Sequence, residues 1–249
     1  MKPTKHRQLL RPIEKNHLLL PLAMLWMAGA SAHAATIAFS TTAPTFDGDD
    51  ITQLTMGTLA TNSISYGGDF SADNANYIAF DRPAQGQTFT PGAAGQITSI
   101  TVKSTTGTSS IPSGIQLTLR ISTVSGTTLA PFYTDVAVLP SGNGIDISDK
   151  YVTFTLTTPQ TVVAGTTYGF DFGNTPGNEG FYFQIDGAAN SSYAGGTSYS
   201  SGVKNGFGTT TADVRSTDRT FGISIVPEPS AALLGGLGIL TLLVRRRRA

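Results

Sequence analysis

Cysteine is absent from the 249 residues, so disulfides, thiolate nucleophiles, Cys-ligated zinc and iron–sulfur clusters are excluded. Histidine occurs only at His6, His17 and His33, and tryptophan only at Trp26. Charge is sparse, at 13% of residues, with 16 Lys+Arg against 16 Asp+Glu. Between Thr36 and Val226 there is no apolar stripe at helical spacing.

What is present is concentrated at the ends. Lys2, Lys5, Arg7, Arg11 and Lys15 form a basic start, followed by the apolar stretch Leu18–Ala30 and then the small residues Ala32, Ala34 and Ala35. This order predicts a signal peptide over residues 1–35, read by the export machinery and cut by signal peptidase after Ala34. The apolar stretch is too short for an ordinary spanning helix and has no polar face. Cleavage there removes every histidine and the tryptophan. The exported chain then has no means to build a Ser-His-Asp triad, a zinc hydrolase site or a His-ligated haem.

At the other end, Pro227-Glu228-Pro229 precedes an apolar run, Ala231–Val244, closed by Arg245, Arg246, Arg247 and Arg248. Apolar residues ended by arginines predict a membrane segment over 231–244 with its basic end in the cytoplasm. The 14 residues cover only about 21 Å of a roughly 30 Å hydrocarbon core. Arginine snorkelling and local thinning close part of that gap. Composition supports both a plain tail anchor and a segment presented to an enzyme for removal. The two prolines hold the chain extended and remove two backbone donors, which suits entry into a processing cleft.

The order Pro-Glu-Pro, short apolar helix, arginine cluster over 226–249 resembles the PEP-CTERM sorting signal. The resemblance implies an exosortase-type processing enzyme as partner, with Pro227, Glu228 and Pro229 as its recognition motif. It further implies passage through the inner membrane of a Gram-negative bacterium and transient anchoring there. The destination would be the cell surface or an extracellular matrix rich in exopolysaccharide.

The middle, 36–225, reads as strands with one buried face. Ile115, Leu117, Leu119 and Ile121 alternate with polar residues, as do Val152, Phe154 and Leu156; Tyr168, Phe170 and Phe172; Phe181, Phe183 and Ile185; and Phe221, Ile223 and Ile225. Shorter candidates are Ile37–Phe39, Ile51–Leu59, Ile64–Phe70, Tyr77–Phe80, Gln87–Phe89 and Gln96–Lys103. These predict one all-β domain, an antiparallel β-sandwich of jelly-roll or Greek-key type. The segments GQTFTP, ITSITVKS and GIQLTLRIST resemble sugar-binding-type jelly-roll domains of exported bacterial proteins. No binding residue is carried over from that resemblance. The stretch 190–208 reads as a long loop or a glycine-rich edge hairpin.

Candidate site residues are few. Asp47, Asp49 and Asp50 could contribute oxygen ligands to a structural calcium, although an acidic solvated turn is the favoured reading. Tyr182, on the outward parity of its strand, and Tyr193 and Tyr199, in the loose stretch, are candidates for glycan contact. Asp171 and Asp186 fall on outward parity and read as exposed strand charges rather than a glycosidase pair. Seven basic residues scattered over the domain form no nucleic-acid footprint. The zero net charge is a sum of unlike parts: +4 over residues 1–35, −7 over 36–226 and +3 from Pro227 onward. The expectation is a non-enzymatic exported protein with a structural or adhesive role in exopolysaccharide or biofilm matrix. The alternatives are a carbohydrate-binding module and an unusual glycan hydrolase.

Overall fold

The computed structural model describes residues 34–48, 50–54, 77–79, 84–107, 109–174, 181–188, 193–201, 210–214 and 217–227. The signal region through residue 33, including Ala32, lies outside them, as do Asp49, the expected strand Ile64–Phe70, Glu228, Pro229, the segment 231–244 and Arg245–Arg248.

The described residues form strands joined by turns. In chain order they are β1 (Thr36–Ser40), β2 (Ile51–Gln53), β3 (Tyr77–Ala79), β4 (Gln85–Phe89), β5 (Gly95–Gly107), β6 (Ser110–Ile111), β7 (Gln116–Ser125), β8 (Thr128–Val138) and β9 (Gly142–Asn143). There follow β10 (Tyr151–Val162), β11 (Tyr168–Asn174), β12 (Tyr182–Ile185), β13 (Gly187–Ala188), β14 (Ser198–Ser200), β15 (Asp213–Val214), β16 (Asp218–Arg219) and β17 (Phe221–Pro227).

All strand pairings are antiparallel. A first sheet runs β1-β10-β5-β12-β3, with β17 pairing both β5 and β2. A second runs β15-β14-β4-β11-β7-β8. The alternating apolar residues meet between them: Phe154 of β10 lies 6.1 Å from Phe172 of β11, and Phe170 of β11 lies 5.6 Å from Phe221 of β17, ring centre to ring centre. Each such buried phenylalanine contributes about 1.5–3 kcal/mol of transfer free energy.

Threonines on the opposite face of β5 and β10 pair across strands, Thr101 with Thr153 at 2.9 Å. A two-residue turn joins β7 to β8, with Gly126 at φ 59° in its first position. That left-handed conformation is the one a tight hairpin asks of glycine.

β8 was not among the expected strands. It carries Pro131 and mostly exposed side chains, and it forms the edge of the second sheet, where proline is tolerated. Asp135 ties this edge to the first sheet. Its carboxylate accepts the Thr157 N–H at 2.8 Å, the Thr157 hydroxyl at 3.1 Å and the Tyr133 hydroxyl at 2.5 Å. Burial, then the bond to Asp135, push the Tyr133 phenol up to about 12.

The native state thus holds this proton more tightly than the unfolded chain does. The associated stability is present in full below the unfolded value near 10 and is lost as pH rises through about 12. Ultraviolet titration of the parent against Tyr133→Phe should show one tyrosine ionising near 12. The difference in melting temperature between the two should be constant below pH 10 and shrink above it.

Candidate functional site

Period-2 geometry places Arg120 of β7 and Asp171 of β11 on the face of the second sheet opposite the phenylalanines. They pair directly across the ladder, and the row continues through Gly86 of β4 to Tyr199 of β14. Arg120 Nε donates to Asp171 Oδ1 at 3.0 Å and Nη2 to Oδ2 at 2.5 Å, a two-pronged charge-assisted contact.

The two glycines Gly86 and Gly169 leave room for the Tyr199 ring. A Cβ on Gly86 would come within 2.8 Å of Tyr199 Cζ, and one on Gly169 within 2.8 Å of the hydroxyl. Tyr199, Arg120 and Asp171 are all buried.

The expectation that Asp171 is an exposed strand charge is therefore overturned, and Tyr199 has no free face for a sugar. The Tyr199 ring stands beside Asp171 at Gly86, and Tyr199 is packed in its turn. Leu129 N–H bonds the Thr210 carbonyl and Ala212 N–H bonds the Thr127 carbonyl, both at 2.7 Å. These bonds bring residues 210–212 against the β7–β8 turn, and Leu129, Tyr199 and Ala212 form a second apolar cluster with Val124 against it.

Burial raises Asp171 and the Arg120 guanidinium opposes the rise. Tyr199 is raised well above the ordinary phenol value by burial and then by the Asp171 charge. A carboxylate neutralised by arginine and shut from solvent is suited to clamping strands, not to exchanging protons with a substrate.

A further buried polar group lies on the other side of β4. Gln87 Nε2 donates to Asp218 at 3.0 Å and its carbonyl accepts the Arg219 N–H at 2.9 Å; Arg219 Nη2 donates to Gln85 at 3.0 Å. Asp218 also accepts the Tyr193 N–H at 2.7 Å. Arg219 is one of the seven basic residues scattered over the domain sequence, and it is buried. The signal available was Gln85 and Gln87 standing on the same parity as Phe89, polar residues where a strand's buried face requires partners.

The other expected residues are dispersed. Tyr182 is half-buried on β12, and Tyr193 packs edge-on against Phe221 at 5.2 Å. Tyr182, Tyr193 and Tyr199 are thus not assembled as one open aromatic platform. Asp186 accepts the Thr220 hydroxyl at 2.9 Å and the Gly187 N–H at 3.0 Å.

Asp50 accepts the Asp47 N–H at 2.8 Å and the Ile225 N–H at 2.6 Å, closing its turn and tying it to β17. Among the described residues no group of three or more His, Cys, Asp or Glu side chains is placed to hold a metal ion. Ala34 is exposed, and Ala35 packs against the core just before β1. Pro227 is the exposed last residue of β17, opposite Gly95 of β5. No helix among the described residues is long and apolar enough to cross a membrane. No protein-family model and no curated protein matches the chain.

Proposed function

We propose that the chain is an exported protein of a Gram-negative bacterium, cut near its C-terminus by an exosortase-type enzyme and resident at the cell surface or in an exopolysaccharide matrix. Its domain, a β-sandwich of jelly-roll or Greek-key type, serves there as a structural or adhesive body rather than a catalyst. The observation that carries this reading is the three-part C-terminal signal: Pro227-Glu228-Pro229, the apolar run 231–244 and Arg245–Arg248.

The domain's chemistry agrees with a structural role. Asp171 is held by Arg120, Asp218 by Gln87, Asp135 by Thr157, Asp186 by Thr220 and Asp50 by the Ile225 backbone. In each case the carboxylate joins segments of the fold that are distant in sequence. The alternation of consecutive strands between two facing sheets, from β4 to β5 to β7 and from β10 to β11 to β12, supports the sandwich topology.

Cell fractionation of an Arg245–Arg248→Ala variant tests the sorting reading. The four charges fix which side of the membrane the tail end occupies. Their removal should shift the protein out of its normal membrane-to-surface distribution, and unchanged distribution and processing would count against the proposal.

A further inference from the structure

Among the described residues, the end where β17 finishes is built from segments without charged side chains. β5 begins at Gly95, β10 ends at Val162 and β17 ends at Pro227; Val162 and Pro227 both pair with Gly95. The turns beyond them are joined by a hydrogen bond from Gly165 N–H to the Pro91 carbonyl at 2.9 Å. Val163 is 56% exposed and Val226 54%, and Gly92, Ala93, Ala94 and Pro227 beside them are exposed as well. The segments 88–100, 156–170 and 223–227 contain no Asp, Glu, Lys or Arg.

The far ends of the same strands are different. Lys103 pairs there with Asp149 at 2.9 Å, and Asp146, Lys150 and Asp186 stand close by in sequence or register. Asp47 and Asp50 flank the uncharged end on the β2 side, where Asp50 is engaged by the Ile225 backbone.

We infer that this end, centred on Val163 and Val226, is the surface by which the domain rests on the lipid headgroup layer while its tail is still attached. The inference rests on the reading of 231–244 and Arg245–Arg248 as a membrane segment. Only Glu228, Pro229 and Ser230 separate Pro227 from that segment. Three residues fully extended reach about 10 Å. The end bearing Val163 and Val226 therefore cannot move far from the headgroups as long as the tail is inserted. A charged end held there would lose hydration at a cost, whereas exposed valines and alanines gain from the same contact. The sorting motif is then presented at the membrane surface, where an enzyme embedded in the bilayer can reach it.

The absence of cysteine allows single labelling sites. The exported chain, beginning at Ala35 and keeping its tail, is made with Val163→Cys or, at the charged end, Asp149→Cys and labelled with an environment-sensitive dye. Each is reconstituted into vesicles of phosphatidylethanolamine and phosphatidylglycerol and recovered by flotation. The dye at 163 should shift to the blue and be quenched several-fold more strongly by spin-labelled headgroups than the dye at 149. Flotation with both dyes equally water-exposed overturns the docking surface and leaves the tail anchor standing. Failure to float overturns the tail anchor and the inference with it. A Val163→Asp, Val226→Asp chain labelled through Ala93→Cys should still float but lose most of the quenching seen in the Ala93→Cys parent. Retained quenching there also overturns the inference. Both valines are exposed, so the change leaves the core intact.

Discussion

Replacing Asp171 by alanine is expected to cost about 3–5 kcal/mol of stability, because it leaves the buried Arg120 guanidinium without its carboxylate. Few single changes outside the aromatic core should cost as much. Replacing both partners, Arg120→Leu with Asp171→Leu, removes the uncompensated charge together with the pair. Such double replacements are often neutral or stabilising, so the double variant should recover most of the loss. Denaturant titration distinguishes the outcomes: the midpoint should fall in the single variant and return in the double, with the slope unchanged. A loss below about 1 kcal/mol in the single variant is the behaviour of a solvent-exposed pair and would contradict the burial of this one.

The second large effect concerns where the tail can be cut. β17 pairs with β5 along its length and also with β2, and it buries Phe221, Ile223 and Ile225. Loss of one such side chain costs about 2–5 kcal/mol. Loss of all three, about 6–15 kcal/mol together, is as large as the roughly 5–15 kcal/mol that holds a typical domain together. A chain ending at Pro227 should therefore fold and melt cooperatively, while one ending at Thr220 should not fold. Processing of the C-terminal signal must accordingly spare the residues through Ile225. Circular dichroism and thermal melting of the two fragments, both starting at Ala35, check this. A folded fragment ending at Thr220 would show that β17 is dispensable.

Much of the sheet structure was legible because its main strands alternate strictly. Val152 and Phe154 point inward with Thr153 between them, and the register with β5 preserves that parity. β8 was not legible, since Pro131 and exposed valines carry no inward stripe and only its position at the sheet edge makes it a strand. Nor was the burial of Arg120 and Asp171. Alternation on β7 and β11 marks their second face as polar, and polar reads as wet until something covers it. What packs beside them is Tyr199, with Ala212 against it, far along the chain and without an alternating pattern of their own. Tyr199 was hidden for the same reason: its serine- and glycine-rich surroundings read as loop, whereas β14 pairs with both β4 and β15. For the candidate site, the buried polar contacts were not legible, because they depend on partners such as Gln87 and Asp218, 131 residues apart.

The central claim is that this is an exported protein trimmed at both ends, leaving the strand-built domain at its destination. Intact mass of the protein recovered from the cell surface or matrix of an exosortase-bearing Gram-negative host tests it directly. The account predicts a chain that begins at Ala35, retains the residues through Ile225 and lacks Arg245–Arg248. Recovery of the full 249-residue chain from that fraction, with His6, His17, His33 and the terminal arginines still present, would contradict it.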